Sequence, residues 1–130
     1  MFEIVVEESF SSGHALRGYR GKCENPHGHN YRAVVCLAGP ELNSIGLLYD
    51  FTELKRMIRL LTDRLDHQYL NDLVPFLEIN PSAENLAKYL YEGLRDQFEG
   101  TQSNRGGPTG IQVKSVRVFE TDRTSAAYSE

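Results

Sequence analysis

The sequence is poor in cysteine and has no long apolar run. Only Cys23 and Cys36 occur among its 130 residues, whereas a secreted domain of this size more often carries four or more paired cysteines. No stretch approaches the roughly 20 apolar residues of a membrane span, and the N-terminus lacks the basic and apolar regions of a secretory signal. These absences predict a soluble, cytoplasmic protein with no membrane partner.

Positive charge is also scarce. The chain has 14 Lys and Arg residues against 18 Asp and Glu residues, which gives a net charge of -4 at pH 7, so we expect no nucleic acid partner. An anionic substrate would need local positive charge, and residues 15–26 contain Arg17, Arg20 and Lys22. We interpret this cluster either as the solvated surface of a loop or as a contact for phosphate.

The chain length of 130 residues suits a single domain, residues 1–130, that buries about two-thirds of its unfolded surface. A core of that size needs neither disulfides nor a structural metal for its stability. A metal ion bound to this chain would therefore serve chemistry.

The most informative stretch is CENPHGHNY, from Cys23 to Tyr31. In an extended strand, His27 and His29 leave the backbone on the same face. His14 closes the predicted first strand and would lie beside them in a hairpin, so we predict it as a third metal ligand. Three histidines bind zinc and leave one position open. In an alternative, Cys23 supplies a fourth ligand and the site is structural.

Apolar periodicity predicts strands and helices in the order ββααββ. The expected strands cover residues 2–13, 29–37, 111–120 and 125–128. A bulge is expected near Ser115, because the apolar positions of the third strand change phase there. The helices are expected to begin at Asp50, in a capping box with Glu53, and at Ser82 as N-cap. We therefore predict an α+β fold, an antiparallel four-stranded sheet with two helices on one face, and oligomerisation is one way to protect the open face.

The two helices have defined apolar stripes. The first helix is expected to end at Leu65-Asp66-His67, and residues 100–110 are expected to form a loop that is not a phosphate cradle, since it would run from helix to strand. Cys36 lies on the opposite strand face from His29 and is expected to be a small buried hydrophobe. The stripes comprise Phe51, Leu54, Met57, Ile58, Leu61 and Leu65 in the first helix, and Leu86, Ala87, Leu90, Leu94 and Phe98 in the second.

Two carboxylates occupy positions that suggest chemistry. Asp66 would orient His67 if a non-helical turn brings them together, and Cys23 would complete a set of groups for proton transfer. Otherwise His67 is a surface histidine at a helix C-terminus. Glu120 falls on the apolar face of the third strand, where it would bind the donor pair of a heterocycle or reach solvent from the strand end.

Taken together, these segments resemble the 6-pyruvoyl-tetrahydropterin synthase and 6-carboxytetrahydropterin synthase superfamily. The resemblance covers nearly the whole chain and implies a tunnelling fold, a homohexamer built as a dimer of trimers, and active sites at subunit interfaces. It rests on six segments in the same order, which are Phe10 to His14, Cys23-x3-His27-Gly-His29-Asn-Tyr31, Gly46 to Lys55, Leu65-Asp66-His67-x-x-Leu70-Asn71, Asn80-Pro81-x-x-Glu84-Asn85 and Glu120-Thr121.

The resemblance implies that the chain is an enzyme, a zinc-dependent carbon–carbon lyase. It also implies three sets of site residues. Position 83, often Ser or Thr in the superfamily, is Ala83 here, so one substrate-facing hydroxyl is missing. The implied zinc ligands are His14, His27 and His29, and the implied catalytic groups are Cys23, Asp66 and His67. The implied substrate contacts are Ser82, Thr121 and Glu120, of which Glu120 anchors the pterin.

The spacing Cys-x3-His-Gly-His resembles the 6-carboxytetrahydropterin synthase branch of queuosine biosynthesis, because pyruvoyl enzymes typically have two more residues between Cys and His. This branch implies conversion of 7,8-dihydroneopterin triphosphate to 6-carboxytetrahydropterin, acetaldehyde and triphosphate. Two alternatives remain. One is a pyruvoyl-type enzyme that eliminates triphosphate without releasing acetaldehyde. The other is a non-catalytic, zinc-stabilised oligomerisation module that uses Cys23 as a ligand and leaves Asp66 and His67 without a role.

Overall fold

A computed structural model describes residues 1–101 and 110–130 of the chain. The elements follow the predicted order ββααββ. The loop predicted over residues 100–110 lies, apart from its ends, outside the described residues. The strands are β1 (Phe2–His14), β2 (His27–Gly39), β3 (Gln112–Thr121) and β4 (Thr124–Tyr128), and the helices are α1 (Phe51–Thr62) and α2 (Ala83–Thr101), with short 3-10 turns at Lys22–Glu24, Leu70–Asp72 and Val74–Phe76.

The four strands form one antiparallel sheet in the order β1-β2-β3-β4. The β1–β2 hairpin pairs His14 with His27 across its end. Between β2 and β3, Cys36 pairs with Ser115 but the next residue pairs with Val113, which leaves Lys114 as an extra residue. The predicted bulge near Ser115 is confirmed, and it lets Val113 and Val116 both face the core although they are three residues apart.

Both helices pack on one face of this sheet, as predicted. The apolar positions of the strands and the stripe of α2 form one buried cluster. Ser82 caps α2, since its Oγ accepts a hydrogen bond from the Asn85 amide at 3.2 Å, and Asp50 caps α1 through the Thr52 amide at 2.7 Å. The α1 side chains buried in this cluster are Leu54, Met57, Ile58 and Leu61, joined beyond the helix by Leu65.

Two expectations about α1 were wrong. The helix ends at Thr62 rather than at residues 65–67, because the Arg64 and Leu65 amides bond to the carbonyls three residues earlier and tighten the chain into turns. Phe51 is 53% exposed, since it is the first helical residue and lies beyond the edge of the core. Among the described residues, no helix has both the length and the apolar character needed to cross a membrane.

The expectation for Cys36 was also wrong. Its side chain is only partly buried and lies on the sheet face that the helices leave open, with Sγ 3.8 Å from Glu3 Oε2. Side chains alternate between faces along a strand, so Val35 and Leu37 enter the core and Cys36 points away from it.

Candidate metal centre and active site

Three histidines meet at the end of the β1–β2 hairpin. His14 ends β1 opposite His27, and His29 follows two residues later on the same face of β2. The ring centroids are 4.5 Å apart for His14 and His27, 5.1 Å for His14 and His29, and 5.0 Å for His27 and His29. One ligand nitrogen from each ring lies within 4.8 Å of the other two, so the three imidazoles could hold a metal ion.

Backbone carbonyls orient two of these rings. The Pro81 carbonyl oxygen lies 2.7 Å from His14 Nδ1, and the Asn25 carbonyl oxygen lies 2.8 Å from His27 Nδ1. Because a carbonyl can only accept, Nδ1 is the protonated nitrogen of each ring and Nε2 keeps a free lone pair. Sequence analysis missed both carbonyls, since a backbone acceptor has no residue signature.

The nitrogen atoms that face the centre of this group have the properties expected of metal ligands. Neither His14 Nε2 nor His29 Nε2 has a hydrogen-bond partner within residues 1–101 and 110–130, although both are buried. An unpartnered buried polar atom is costly, and a metal ion would satisfy both. Burial is the main cause of the lowered pKa of His14 and of His29, and the neutral imidazole that results is the form that binds metals.

Glu120 borders the same group of nitrogens. Its carboxylate is 26% exposed, with Oε1 4.0 Å from His14 Nε2 and Oε2 3.9 Å from His29 Nε2. Tyr31, on β2, makes T-shaped ring contacts with His14 and His29, and in the described part of the chain its hydroxyl is buried without a partner. Burial, followed by the Glu120 charge, raises the pKa of Tyr31, so its hydroxyl remains protonated. No sequence pattern indicates this further unpartnered atom.

The Asp66–His67 pair is joined directly, and it needs the non-helical turn that sequence analysis required. His67 has a φ of 57°, and its Nδ1 lies 2.9 Å from Asp66 Oδ2. The other Asp66 oxygen accepts a hydrogen bond from the Ser11 amide at 2.8 Å. The Ser11 amide, and then His67, hold the pKa of Asp66 below its usual value. The His67 side chain is 81% exposed, so the pair presents its imidazole to solvent.

Backbone hydrogen bonds to the free edge of β1 hold the Asp66–His67 pair in position. The His67 amide donates to the Ser11 carbonyl, and the Gly13 amide donates to the Gln68 carbonyl at 2.9 Å. His29 and His67 consequently line one open cleft of ≈ 540 Å³, together with Ser11 and Asn30. The cleft therefore extends from one member of the histidine group, His29, to the imidazole of the Asp66–His67 pair.

Cys23 lies on the 3-10 turn Lys22–Glu24 and is partly buried. Its carbonyl accepts a hydrogen bond from the Leu16 amide at 2.8 Å, which fixes the turn to the end of β1. The cluster of potential metal ligands found among the described residues consists of the three histidines without Cys23. This arrangement disfavours the alternative in which Cys23 is a fourth ligand.

The hydroxyls of Ser82 and Thr121 serve local structure in this chain. Ser82 caps α2, and Thr121 Oγ1 accepts from the Arg123 and Thr124 amides in the β3–β4 turn. Arg17, one of the three cations considered for phosphate, directs its guanidinium to backbone carbonyls. The contacts of these two hydroxyls and of Arg17 therefore do not by themselves indicate that they bind substrate.

Comparison with known proteins identifies the family. The family model described as 6-pyruvoyl tetrahydropterin synthase matches residues 3–130. The chain belongs to this family. It is similar to the 6-carboxy-5,6,7,8-tetrahydropterin synthase of Synechocystis sp., with 34% identity over 98% of this chain and 93% of the relative. It is also similar to the 6-pyruvoyl tetrahydrobiopterin synthase of Dictyostelium discoideum, with 36% identity over 96% of this chain and 93% of the relative.

Solved structures agree on the fold. The 6-pyruvoyl tetrahydropterin synthase of Caenorhabditis elegans superimposes with a TM-score of 0.80 and 29% identity, over 99% of this chain and 95% of that one. The α+β tunnelling fold predicted from the sequence is confirmed, and so is the resemblance to the family. Membership in a family of pterin synthases makes the chain a lyase-type enzyme, while the two names among its relatives leave its specific reaction open.

Proposed function

We propose that the chain is a zinc-dependent carbon–carbon lyase of queuosine biosynthesis that acts in the cytoplasm. It would convert 7,8-dihydroneopterin triphosphate and water to 6-carboxy-5,6,7,8-tetrahydropterin, acetaldehyde and triphosphate. The observation that supports metal-dependent chemistry most strongly is the convergence of three imidazoles with two buried, unpartnered Nε2 atoms. The choice of branch rests on the three residues that separate Cys23 from His27.

His14, His27 and His29 would hold the zinc ion. Imidazole nitrogen is a preferred zinc ligand, and three protein ligands leave a position open for catalysis. When bound, the ion supplies Lewis acidity, which lowers the pKa of a hydroxyl group and stabilises developing negative charge. The Pro81 and Asn25 carbonyls support this assignment because they keep two of the rings in the tautomer with a free Nε2.

Proton transfer is assigned to Cys23 and His67, acting from opposite sides of the substrate side chain. His67 has an exposed imidazole whose Nδ1 is held by the Asp66 carboxylate, so Nε2 would exchange protons with substrate. Asp66 orients the ring, in the manner of other carboxylate–histidine pairs. Cys23 requires no metal contact for its role, in agreement with its absence from the ligand cluster.

Substrate binding is assigned to Glu120, Ser82 and Thr121. The Glu120 carboxylate would accept two hydrogen bonds from the amidine-like edge of the pterin ring. The Ser82 and Thr121 oxygens accept local amide hydrogen bonds, but a hydroxyl also has a donor proton, which Ser82 would give to substrate. We further propose that residues 1–130 form a single domain and assemble as a homohexamer, a dimer of trimers.

A second candidate is the pyruvoyl reaction, which eliminates triphosphate from the same substrate without consuming water or releasing acetaldehyde. It is favoured by the Dictyostelium relative, whose identity of 36% is as high as the 34% of the Synechocystis relative. Both reactions would use the same metal, thiol and histidine, so the products decide between them.

The test is a product assay with zinc-loaded protein, 7,8-dihydroneopterin triphosphate and magnesium. Mass spectrometry follows the pterin, and a coupled dehydrogenase follows acetaldehyde. Equimolar acetaldehyde and 6-carboxytetrahydropterin are expected. Pyruvoyl-tetrahydropterin without acetaldehyde would assign the second candidate instead, and a protein that binds zinc but converts no substrate would favour a non-catalytic zinc module. The His29→Ala variant is the control for metal-independent turnover.

A further inference from the structure

Arg17 makes an unusual set of contacts for a cation in a glycine-rich loop. Its guanidinium Nη2 donates to the Phe76 carbonyl at 2.8 Å and to the Asn71 carbonyl at 3.2 Å, and Nη1 donates to the Ile79 carbonyl at 3.2 Å. The Arg17 guanidinium is thus bound to three backbone carbonyls, although its positive charge alone would suggest a contact with phosphate. Arg17 connects the chain just after β1 to the segment 71–79.

Two asparagines connect the same two stretches of chain. The Asn71 side chain accepts from the Ala15 amide and donates to the Ala15 carbonyl, both at 2.9 Å. The Asn80 side chain accepts from the Arg17 amide at 2.9 Å and donates to the Arg17 carbonyl at 3.0 Å. Each amide side chain therefore pairs with a backbone as a neighbouring strand would, and residues 15–17 are joined to residues 71–80 without a regular strand pairing.

These contacts converge on His14. Ala15 follows His14 directly and Arg17 lies three residues after it, while Asn80 precedes Pro81, whose carbonyl accepts a hydrogen bond from His14 Nδ1 at 2.7 Å. The Asn80 carbonyl also accepts from the Asn85 side chain at 2.8 Å, which fixes this point to the start of α2. The ring of His14 and the carbonyl that orients it thus belong to two segments whose separation is set by Arg17, Asn71 and Asn80.

We propose that Arg17 is a positioning residue for the metal centre, acting through the Pro81 carbonyl on the tautomer and orientation of His14. The inference rests on the proposed metal site and adds to it a residue that touches neither metal nor substrate. Asn71 acts in the same direction, because its buried side chain holds the backbone of Ala15, next to His14, through two hydrogen bonds. Partners that orient a metal-bound histidine typically contribute about 10- to 100-fold to metal affinity.

The test measures Co²⁺ affinity by the visible absorption of the bound ion, with no substrate present. Arg17→Gln is compared with Arg20→Gln, a matched change at an exposed arginine of the same loop. We expect Arg17→Gln to weaken Co²⁺ binding by about 10-fold or more and to shift the absorption bands, and Arg20→Gln to leave both unchanged. Equal affinity and equal spectra in wild type and Arg17→Gln would overturn the inference.

A double-mutant cycle with His14→Ala separates positioning from general stability. If Arg17 acts through His14, Arg17→Gln has no further effect on Co²⁺ affinity once His14 is removed. The same loss in both backgrounds would mean that Arg17 merely stabilises the fold and would contradict the proposal. Arg17→Lys, which replaces the two donor nitrogens of the guanidinium by one ammonium nitrogen, and Asn71→Ser provide milder variants in case Arg17→Gln does not fold.

These outcomes are distinct from failure of the proposed function. A wild-type protein that binds no Co²⁺ would remove both the metal site and the role of Arg17. A wild-type protein that binds Co²⁺ in an Arg17-dependent way but converts no pterin would support the positioning role and contradict only the reaction.

Discussion

Cys23 and His67 reach the candidate site by different means. Cys23 lies in a turn that is tied to the end of β1 through its backbone carbonyl, and within residues 1–101 and 110–130 its side chain makes no hydrogen bond that would hold the loop. His67 is held by its ring, through the 2.9 Å contact of Nδ1 with Asp66. A thiol that makes no hydrogen bond to the described residues, and an imidazole with one nitrogen held by a carboxylate, are both suited to exchange protons with a bound molecule.

Replacement of Cys23 by Ala should slow turnover severely and spare the metal. Loss of a group that transfers a proton typically slows the reaction by about 10²- to 10⁴-fold, while the three histidines remain in place. The measurement combines the rate of product formation with the zinc content of the purified protein. Cys36→Ala is the matched control, because Cys36 lies on the open face of the sheet, and it should keep both properties. Normal turnover by Cys23→Ala would refute its assignment.

Replacement of Glu120 by Gln tests the pterin anchor against another possibility, that this carboxylate is a metal ligand. As an anchor, the charged acceptor is worth about 1.5–3 kcal/mol, so binding of neopterin, followed by pterin fluorescence, should weaken by roughly 10- to 150-fold. Zinc affinity should change far less. The reverse pattern would be unchanged neopterin binding by Glu120→Gln with a zinc affinity as low as that of His29→Ala. That result would make Glu120 a metal ligand, in agreement with the 3.9 Å distance between its Oε2 and His29 Nε2.

At the scale of the elements, the end of α1 determines where the Asp66–His67 pair lies. Turns replace the helix after Thr62, and the positive φ of His67 redirects the chain along β1. A non-glycine residue in this region of φ carries backbone strain. The contacts with Ser11 and Gly13 offset that strain and cover the final residues of the free β1 edge.

The Asp66 carboxylate should make this docking depend on pH. Its pKa is lowered in the folded protein, so its stabilisation is complete above the unfolded pKa and is lost as the pH falls through the lower folded value. The Ser11 amide donates a hydrogen bond to Asp66. Near about pH 6, this amide should therefore be better protected from hydrogen exchange in the wild type than in Asp66→Asn. In acid, its protection in the two proteins should become equal. The amide of Asn resembles the protonated acid. A difference in protection that stays constant down to acid pH would contradict this account.

At the scale of the whole molecule, the sheet has one face covered by helices and one face open. His67 is 81% exposed, and among the described residues the Cys23 side chain has no hydrogen bond to Asp66 or His67. A site that needs both groups is therefore compatible with assembly between subunits, as the proposed homohexamer requires. Residues from different copies would then act on one substrate.

Subunit complementation tests this assembly. The inactive variants Cys23→Ala and His67→Ala are unfolded together, mixed in equal amounts and refolded with zinc. If each site takes Cys23 from one subunit and His67 from another, about a quarter of the wild-type activity should return by random assortment. A mixture of Asp66→Asn with His67→Ala is the control, because every Asp66–His67 pair then carries a lesion. No recovery in the first mixture would place both groups in the same chain.

The sequence by itself determined the elements and the group of three histidines that could hold a metal ion. Apolar periodicity gives the order ββααββ, and the change of phase between Val113 and Val116 locates the bulge. The alternation of side chains along a strand places His27 and His29 on one face, and a hairpin that begins after His14 brings the third imidazole to them. These features depend on local spacing and on the pairing of two strands that are consecutive in the chain, so residue patterns are sufficient to predict them.

Only the tertiary structure decided how the site is held. The Pro81 carbonyl, the Ser11 amide and the contacts of Arg17 join residues that are 54 to 67 positions apart, and a backbone group has the same chemistry at every position. The premature end of α1 and the exposure of Phe51 arise in the same way, because the extent of the core beneath a helix sets which of its apolar residues are buried. A sequence encodes these pairings only through the packing of the complete fold.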